Sequence, residues 1–174
     1  FLKWAGGKGD SLKFLFNKFP NTIINYYEPF IGGGSVFLEL LSCLESGSKN
    51  LEKSIILGDK NSNLVNVYQM IMSKIDKLIE ILETYSSIYH KAEMIKYEPR
   101  HKHIINLDET LESYIPKGKS YVYYYCRQLY NKTEDLEIKA ALLIFLNKTC
   151  WRGLYRAGKN GFNVPFGNYK KPCI

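Results

Sequence analysis

The amino-acid sequence predicts an α/β fold that begins with a strand, a glycine turn, a helix and a second strand. Residues 22–27 are β-branched and aromatic, which is typical of a strand. Three consecutive glycines follow, and residues 35–45 then carry apolar side chains at helical spacing. Residues 53–57 form a second short apolar run, which ends at Gly58 and Asp59. This order indicates one βαβ unit with parallel strands.

The elements next to that unit are predicted from the same periodicities. Residues 12–19 carry apolar side chains at helical spacing and predict a helix that Pro20 ends. The run at 22–27 is apolar enough that we expect a buried strand. From residue 61 to about residue 85, one continuous helical pattern predicts a single long helix.

The second half of the chain is predicted to be mainly helical. Residues 97–120 are polar and broken by prolines and a glycine, so no element is expected there. Residues 121–130 and 136–146 predict two helices, and residues 149–169 predict loops with a small hairpin. Because a doubly wound sheet needs more than two strands, we expect the fold to be completed beyond Ile174, or the chain to be an incomplete domain.

The charge of the chain favours a polyanionic partner. The chain has 174 residues, of which 45% are apolar, so it can form a real core. It carries 24 Lys and Arg against 17 Asp and Glu, a net charge of +7. The basic residues are scattered, which indicates a folded surface with a positive face, and nucleic acid is the commonest partner of such a surface. An ordinary basic protein is the alternative.

The cysteines and histidines give no sign of a metal site. The four cysteines are widely spaced and none lies in a CxxC pair, so we expect free thiols in a reducing compartment. His90, His101 and His103 have no carboxylate or cysteine at ligand spacing, so no metal is expected. A signal-peptide pattern is missing, and no apolar run approaches the ~18 residues of a membrane span. We therefore expect no membrane and a cytoplasmic location.

The glycine turn predicts a bound ligand. Glycines after the first strand let a ligand approach the backbone closely, and an acidic residue at the tip of the second strand reaches a ribose hydroxyl. Asp59 has that position. The alternative is that Asp59 caps the helix that starts near Asn61.

The chemistry of the turn favours a cationic ligand over a pyrophosphate. Gly32, Gly33 and Gly34 lack the third glycine of the GxGxxG fingerprint. Glu28 precedes the turn, and its carboxylate would repel a pyrophosphate and attract a cation. S-adenosylmethionine is such a ligand, since it carries a sulfonium and an α-ammonium but no phosphate. The alternative for Glu28 is a turn carboxylate before a proline.

The opening residues suggest further ligand contacts. Gly6-Gly7-Lys8 is followed by Gly9 where a Walker A loop needs Ser or Thr, so a nucleotide triphosphatase is not expected. Trp4 offers an aromatic face to an adenine or methionine moiety, and Lys8 offers an ammonium to a carboxylate. The alternative for Trp4 is a core residue.

Four stretches together resemble the Dam-like DNA adenine methyltransferases. These are LKWAGGK at 2–8, EPFIGGGSVF at 28–37, GDKNSNLVNVY at 58–68, and FLNKTCWRGLYR at 145–156 with FNVPFG at 162–167. Each is weak alone, but they occur in the family's order and spacing along the whole chain.

The resemblance implies a Rossmann-like methyltransferase domain that binds S-adenosylmethionine, incomplete in this chain, with an inserted, mainly helical target-recognition domain. Residues 1–60 would begin the first domain, 61–170 would form the insertion, and 171–174 would start the return. The implied cofactor contacts are Trp4, Lys8, Glu28, Phe30, Gly32, Gly34 and Asp59.

The segment after Phe145 resembles the DNA-reading loop of the family. The resemblance implies that Trp151 enters double-stranded DNA and that Arg156 reads a guanine. Arg152 departs from the small polar residue of the family, so the site recognised can differ from GATC. The implied DNA contacts are Lys148, Trp151, Arg152, Arg156 and Lys159. The alternative is a solvated basic loop.

The family's catalytic tetrapeptide is missing from the sequence. The resemblance implies an Asp-Pro-Pro-Tyr loop downstream of FNVPFG, whose acceptors draw the adenine amine out of plane. No such tetrapeptide occurs, so we assign no catalytic residue in this chain. We expect a truncated adenine methyltransferase, which in a restriction–modification system has a cognate endonuclease. A shortened, inactive remnant that binds only DNA or cofactor is the alternative.

Overall fold

A computed structural model describes residues 1–98 and 102–174. The chain divides into two compact units, Phe1–Val65 and Asn66–Ile174, and each is described here by itself.

The first unit is organised by two parallel strands. Strand β1 (Thr22–Glu28) pairs with β2 (Asn50–Leu57), from Thr22 opposite Asn50 to Glu28 opposite Leu57. Helix α2 (Ser35–Glu45) lies between them in the chain. The parallel pairing confirms the predicted βαβ order and the α/β class. Because the strands run in the same direction, both end at the same edge of the sheet.

The core of this unit covers one face of the sheet. Ile23, Tyr26 and Leu40 are buried at its centre. The half-buried side chains packed against them come from the strands and from the helical segments, and they are Phe16, Phe19, Val36, Phe37, Leu44, Leu51, Ile55 and Leu57.

The expectation of a fully buried first strand is wrong. Ile24 and Tyr27 are 54% and 61% exposed, because the side chains of the core cluster pack on the opposite face, which carries Ile23 and Tyr26. The helix predicted at 12–19 is also shorter than expected. It consists of a 3-10 turn at Gly9–Ser11 and a helix, α1, at Leu12–Phe16.

The predicted single helix over 61–85 is two helices. Helix α3 (Ser62–Ser73) and helix α4 (Ile75–Lys91) are separated at Lys74, whose φ of −147° and ψ of 44° are not helical. The Ser73 hydroxyl donates a hydrogen bond to the Gln69 carbonyl at 2.7 Å. Such a bond competes with the helical backbone pattern and bends helices. The apolar periodicity continues across Lys74, so the sequence pattern did not reveal the break between the two helices.

The second unit is built around a buried helix. Helices α4, α5 (Lys119–Lys132) and α6 (Leu136–Thr149) pack against one another, and α5 and α6 confirm the predictions at 121–130 and 136–146. Residues 140–147 of α6 are all buried, as expected for a helix that is apolar on every side. A 3-10 helix at Leu111–Lys117 lies where no element was expected.

The predicted hairpin is present and rests on a row of buried aromatic and aliphatic side chains. Strands β3 (Ala157–Gly158) and β4 (Gly161–Phe162) pair antiparallel. Phe162, Val164 and Phe166 are each 2–3% exposed. Of the two residues between them, Asn163 is exposed and Pro165 is half-buried.

Four further findings concern the cysteines, membrane spans, metal-binding groups and histidines of the described residues. All four cysteines are free thiols. Between residues 1–98 and 102–174, no helix is long and apolar enough to cross a membrane, and no group of three or more His, Cys, Asp and Glu is arranged to hold a metal ion. His90 is exposed, and the His103 ring lies within hydrogen-bonding distance of the Ser120 hydroxyl, whereas His101 lies outside the described residues.

Candidate cofactor pocket and nucleic-acid interface

A cavity of about 700 Å³ lies in the first unit beside the carboxyl ends of the two strands. Ligands of open parallel sheets bind at this edge. Six of the seven predicted cofactor residues line the cavity: Trp4, Lys8, Glu28, Phe30, Gly32 and Asp59. The seventh, Gly34, is buried and does not line it.

Backbone hydrogen bonds hold the two strand ends together at the cavity. The Gly58 amide donates to the Glu28 carbonyl, and the Ile31 amide donates to the Gly58 carbonyl, both at 2.9 Å. These bonds fix the segment after β1 against the segment after β2. Glu28 and Asp59, 31 positions apart in the sequence, therefore face the same space.

Glu28 is a half-buried carboxylate at the last position of β1. Burial raises the pKa of Glu28 above its ordinary value, and this effect outweighs two hydrogen bonds that lower it. One comes from the Tyr26 hydroxyl, which donates at 2.7 Å, and the other involves the backbone of Phe37 in the first turn of α2. A buried carboxylate with a raised pKa gains from a cationic partner.

Asp59 is oriented by two backbone amides. One carboxylate oxygen accepts from the Gly32 amide at 3.0 Å, and the other accepts from the Asn61 amide at 2.9 Å. The cap of α3 is Asn61, whose side-chain oxygen accepts from the amides of Asn63 and Leu64 at 3.1 and 3.4 Å. Asp59 is thus not the residue that caps this helix. Each of its oxygens has a second lone pair for a ligand hydroxyl.

The glycine turn makes room for the chain's own N-terminal segment. A Cβ atom on Gly32 would lie 3.0 Å from Cδ1 of Trp4, and one on Gly33 would lie 2.9 Å from the Leu2 carbonyl oxygen. The sequence suggested that a ligand makes this close approach, whereas Leu2 and Trp4 make it. Gly34 has a φ of 72° and precedes the first residue of α2, a conformation that favours glycine.

The N-terminal segment places two predicted ligand contacts at the cavity. Trp4 is half-buried, so it packs against the turn and also lines the cavity. The Lys8 amide donates to the Ser35 hydroxyl oxygen at 3.1 Å, which ties the segment to the start of α2. The Lys8 ammonium donates to the Gly6 carbonyl at 2.6 Å and keeps two further N–H groups.

A second cavity, of about 350 Å³, lies in the second unit and brings together Trp151 and Arg156. The other residues that line it are Tyr97, Leu154, Val164, Pro165 and Phe166. Trp151 is 45% exposed although its amide is fixed by the Pro165 carbonyl at 2.9 Å. A large aromatic ring held at a surface next to an exposed arginine is suited to contact bases.

The other three predicted DNA contacts, Lys148, Arg152 and Lys159, do not line this cavity. The Arg152 guanidinium lies 4.5 Å from the centre of the Trp151 ring, and Arg152 has a left-handed backbone with a φ of 56°. Its amide donates to the Tyr169 hydroxyl at 3.1 Å. Lys159 is exposed in the turn between β3 and β4, and Lys148 is half-buried in the last turn of α6. Neither lysine lines the cavity.

The structure also shows residues that the sequence did not single out. The Asn163 side-chain oxygen accepts from Nε of Arg156 at 2.7 Å, and Tyr97 lines the same cavity as Trp151. The signal for Asn163 was present, because it is the polar residue between Phe162 and Val164 in the FNVPFG stretch. Tyr97 lies in a segment where the sequence predicted no element, so nothing marked it.

The chain is similar to known proteins along nearly its whole length. A family model described as D12 class N6 adenine-specific DNA methyltransferase matches residues 4–174. The chain is 37% identical over 183 residues to the type II methyltransferase M.MjaIII of Methanocaldococcus jannaschii, and this match covers all of the chain and 54% of the relative. It is 32% identical over 175 residues to the DNA adenine methylase of Escherichia coli K12, with 99% of the chain and 49% of the relative covered.

A third relative, the type II methyltransferase M1.LlaDCHI of Lactococcus lactis, is 30% identical over 175 residues, with 100% of the chain and 49% of the relative covered. The chain thus spans about half the length of the curated relatives that it matches. Because the family model matches nearly the whole chain, the chain belongs to the D12 class N6 adenine-specific DNA methyltransferase family.

Proposed function

We propose that the complete protein is a site-specific DNA adenine methyltransferase. It transfers the methyl group of S-adenosylmethionine to the exocyclic amine of an adenine that is flipped out of duplex DNA. The observation that carries the proposal is the convergence of Glu28 and Asp59 in one cavity at the carboxyl edge of a parallel sheet. The family to which the chain belongs indicates the class of reaction, which is methyl transfer to N6 of adenine in DNA.

The cavity in the first unit fits S-adenosylmethionine in size and charge. Its volume of about 700 Å³ lies within the ~300–1,000 Å³ range of small-molecule sites. Two carboxylates suit a ligand with a sulfonium and an ammonium, and they disfavour a pyrophosphate. When bound, S-adenosylmethionine supplies an activated methyl group on its sulfonium.

The cofactor-binding roles follow from what each side chain offers. Asp59, already oriented by two amides, accepts hydrogen bonds from the ribose hydroxyls. Glu28 binds the ammonium, and the Lys8 ammonium binds the carboxylate at the other end of the methionine moiety. Trp4 and the 76%-exposed Phe30 offer aromatic faces to the adenine or methionine portions. Gly32 and Gly34 hold the turn in shape.

We assign the two domains accordingly. Residues 1–60 begin the Rossmann-like methyltransferase domain, and residues 171–174 start the return to it. Residues 61–170 form a target-recognition domain inserted after β2. The mainly helical character of residues 66–174 and the exposed Trp151–Arg156 surface support this assignment.

The second unit would bind double-stranded DNA through the surface around Trp151. We assign Trp151 as the wedge that helps to extrude the adenine, a step that needs a few kcal/mol of unstacking energy. Arg156 reads a guanine through two hydrogen bonds, worth ~1–3 kcal/mol of discrimination. Lys148, Arg152 and Lys159 contact phosphates or base edges, and the recognised site is related to GATC.

The competing proposal is a remnant that binds DNA or cofactor without methyl transfer. The cavities in the two units support binding in either case. The type II names of two relatives support a restriction–modification setting with a cognate endonuclease as a partner.

Transfer of radiolabelled methyl groups to duplex DNA separates the two proposals. The complete natural polypeptide should label duplexes that contain unmodified adenine and should not label the same duplexes with N6-methyladenine. Trp151→Ala should reduce labelling by at least tenfold, since the wedge is lost. Phe14→Ala removes another exposed aromatic ring, in the first unit, and serves as the matched control. Cofactor binding without any transfer would favour the remnant, and absence of both would refute the two proposals together.

A further inference from the structure

We propose that Asn163 is a positioning residue that fixes the guanidinium of Arg156 for guanine reading. The inference rests on the proposed function, in which Arg156 is the guanine-reading side chain. Asn163 would make no base contact in this role. Its effect on base selection would pass through Arg156 alone.

Three hydrogen bonds join the two residues. Nε of Arg156 donates to the Asn163 side-chain oxygen at 2.7 Å, and Nη2 of Arg156 donates to the Asn163 carbonyl at 3.4 Å. The Asn163 amide donates to the Arg156 carbonyl at 3.0 Å. An exposed arginine otherwise samples many rotamers, which must be lost on binding. The contacts to Asn163 restrict both the position and the plane of this guanidinium before DNA arrives.

The Arg156 nitrogens that bond to Asn163 determine which edge of the guanidinium can contact a base. Asn163 accepts hydrogen bonds from Nε and from one N–H of Nη2, so Nη1 and the second N–H of Nη2 remain to face a ligand with two acceptors. The O6 and N7 atoms of guanine in the major groove form such a pair. Asn163 therefore selects the end-on fork of Arg156 over the side-on fork, which uses Nε.

The backbone on both sides of Asn163 is fixed by hydrogen bonds with side chains of α5. Asn163 follows the last residue of β4 and lies between Phe162 and Val164, which are both 2% exposed, whereas Asn163 itself is exposed. Asn131 of α5 bonds both backbone groups of Phe162, at 2.8 and 3.0 Å. Two more side chains of α5 donate to the Val164 carbonyl: the Tyr123 hydroxyl at 2.8 Å and Nη1 of Arg127 at 3.0 Å.

A glycine on the neighbouring strand leaves space for this arrangement. A Cβ atom on Gly158 would lie 3.0 Å from Nδ2 of Asn163. Any larger residue there must displace the Asn163 amide or the hairpin backbone. Gly158 thus gives an independent way to disturb the Asn163 side chain without changing its chemistry.

The test measures base preference position by position. The complete protein methylates a library of duplexes that is randomised around a central adenine, and sequencing of the modified strands gives the preference at each position. Arg156→Ala identifies the guanine position that depends on Arg156. Asn163→Ala should lower the guanine preference at that same position by about five- to tenfold, at the low end of the roughly 5- to 150-fold range of a bidentate contact. Asn163→Asp keeps the acceptor and should keep the preference.

Controls separate positioning from loss of structure. Asn160→Ala changes another exposed asparagine of the same hairpin and should leave every preference unchanged. Gly158→Ala, which shifts the Asn163 side chain without removing its acceptor, should lower the guanine preference at the same position by less than Asn163→Ala does. In the Arg156→Ala background, Asn163→Ala should cause no further change at that position, because there is no guanidinium left to orient.

Three sets of results would overturn the inference. If wild type and Arg156→Ala differ at one guanine while Asn163→Ala equals wild type, the positioning role is wrong and the proposed function stands. A uniform loss of preference at all positions in Asn163→Ala, with Asn163→Asp behaving likewise, would show a general structural role instead. A wild-type protein that methylates no adenine would defeat the proposed function and this inference with it.

Discussion

Glu28 and Asp59 are the two residues on which the proposed cofactor site depends, and their environments differ. Asp59 is bound by two backbone amides, so its orientation is part of the fold. Glu28 is held mainly by the Tyr26 hydroxyl and is disfavoured in its charged form by burial. A cationic ligand would therefore stabilise the charged form of Glu28, which burial alone disfavours.

Replacing Glu28 by Gln should weaken cofactor binding and relieve this unfavourable charge. We expect at least a tenfold loss of affinity for S-adenosylmethionine by calorimetry, which corresponds to about 1.4 kcal/mol. Equal affinity in Glu28→Gln and wild type would show that Glu28 does not bind the ammonium. Glu39→Gln, which changes a carboxylate of α2 that does not line the cavity, is the matched control.

The pH dependence of stability gives an independent check on Glu28. Because the pKa of Glu28 is raised in the folded state, its stabilising contribution is present below the ordinary carboxyl pKa of ~4.3 and is lost as pH rises through the folded value. In the absence of cofactor, the melting temperature of Glu28→Gln should therefore rise relative to that of wild type as the pH increases from about 4 to 7. A difference between the two proteins that stays constant over this range would contradict the raised pKa.

Gly33 tests the fit between the N-terminal segment and the turn. A Cβ atom at this position would lie 2.9 Å from the Leu2 carbonyl oxygen and 3.2 Å from Cβ of Trp4. Gly33→Ala should destabilise the protein by about 1–3 kcal/mol in urea unfolding and should weaken cofactor binding by displacing Trp4. Gly9→Ala, where a Cβ atom would have no neighbour within 4 Å, should change neither measurement. Unchanged unfolding of Gly33→Ala would mean that the segment does not pack on the turn.

At the scale of the elements, the sequence predicted the helices and strands whose apolar residues recur at a regular spacing. It missed the features that coincide with single contacts made by side chains. The strands, α2, α5 and α6 follow from apolar periodicity. The break at Lys74 coincides with a serine hydroxyl bond to the preceding turn and with the pairing of Lys74 with Glu137, which lies far away in the sequence. Burial of only one face of β1 depends on which elements pack on the sheet, and a run of β-branched residues does not specify this.

The same distinction applies to the residues of the two candidate sites: some could be named from a sequence pattern and others could not. The residues of the cofactor cavity could be named because the glycine turn and the acidic tip of the second strand have a fixed place in a βαβ unit. The role of the glycines toward Leu2 and Trp4 could not be predicted, since packing between distant segments leaves no local pattern. Asn163 was missed because a polar residue in an alternating strand is usually only solvated.

The start of α6 provides a prediction about an element. The Asp135 carboxylate accepts hydrogen bonds from the amides of Glu137 and Ile138 at 2.8 and 3.1 Å, which caps this buried helix. Asp135→Ala should reduce the free energy of unfolding by about 1 kcal/mol, the usual effect of losing an N-cap. Glu134→Ala removes an adjacent exposed carboxylate and should have little effect. A stability of Asp135→Ala equal to that of Glu134→Ala would show that the cap does not support α6.

At the scale of the whole molecule, the net charge of +7 should appear as salt-dependent binding to DNA. The logarithm of the affinity should fall linearly with the logarithm of the salt concentration, with a slope of about −0.9 for each phosphate neutralised. Lys159→Ala should make this slope shallower by about one phosphate, whereas Lys13→Ala, on α1, should leave it unchanged. Fluorescence anisotropy at several salt concentrations measures both. Equal slopes for Lys159→Ala and wild type would remove Lys159 from the interface.

Uptake of S-adenosylmethionine by the complete natural polypeptide tests the central claim most directly. Calorimetric titration should show one binding site in the wild-type protein, and Asp59→Ala should lose at least tenfold in affinity, about 1.4 kcal/mol, because the ribose hydroxyls lose their acceptor. A wild-type protein that takes up no S-adenosylmethionine, or an Asp59→Ala protein that binds it as well as wild type, would contradict the assignment of the cavity between the strand ends.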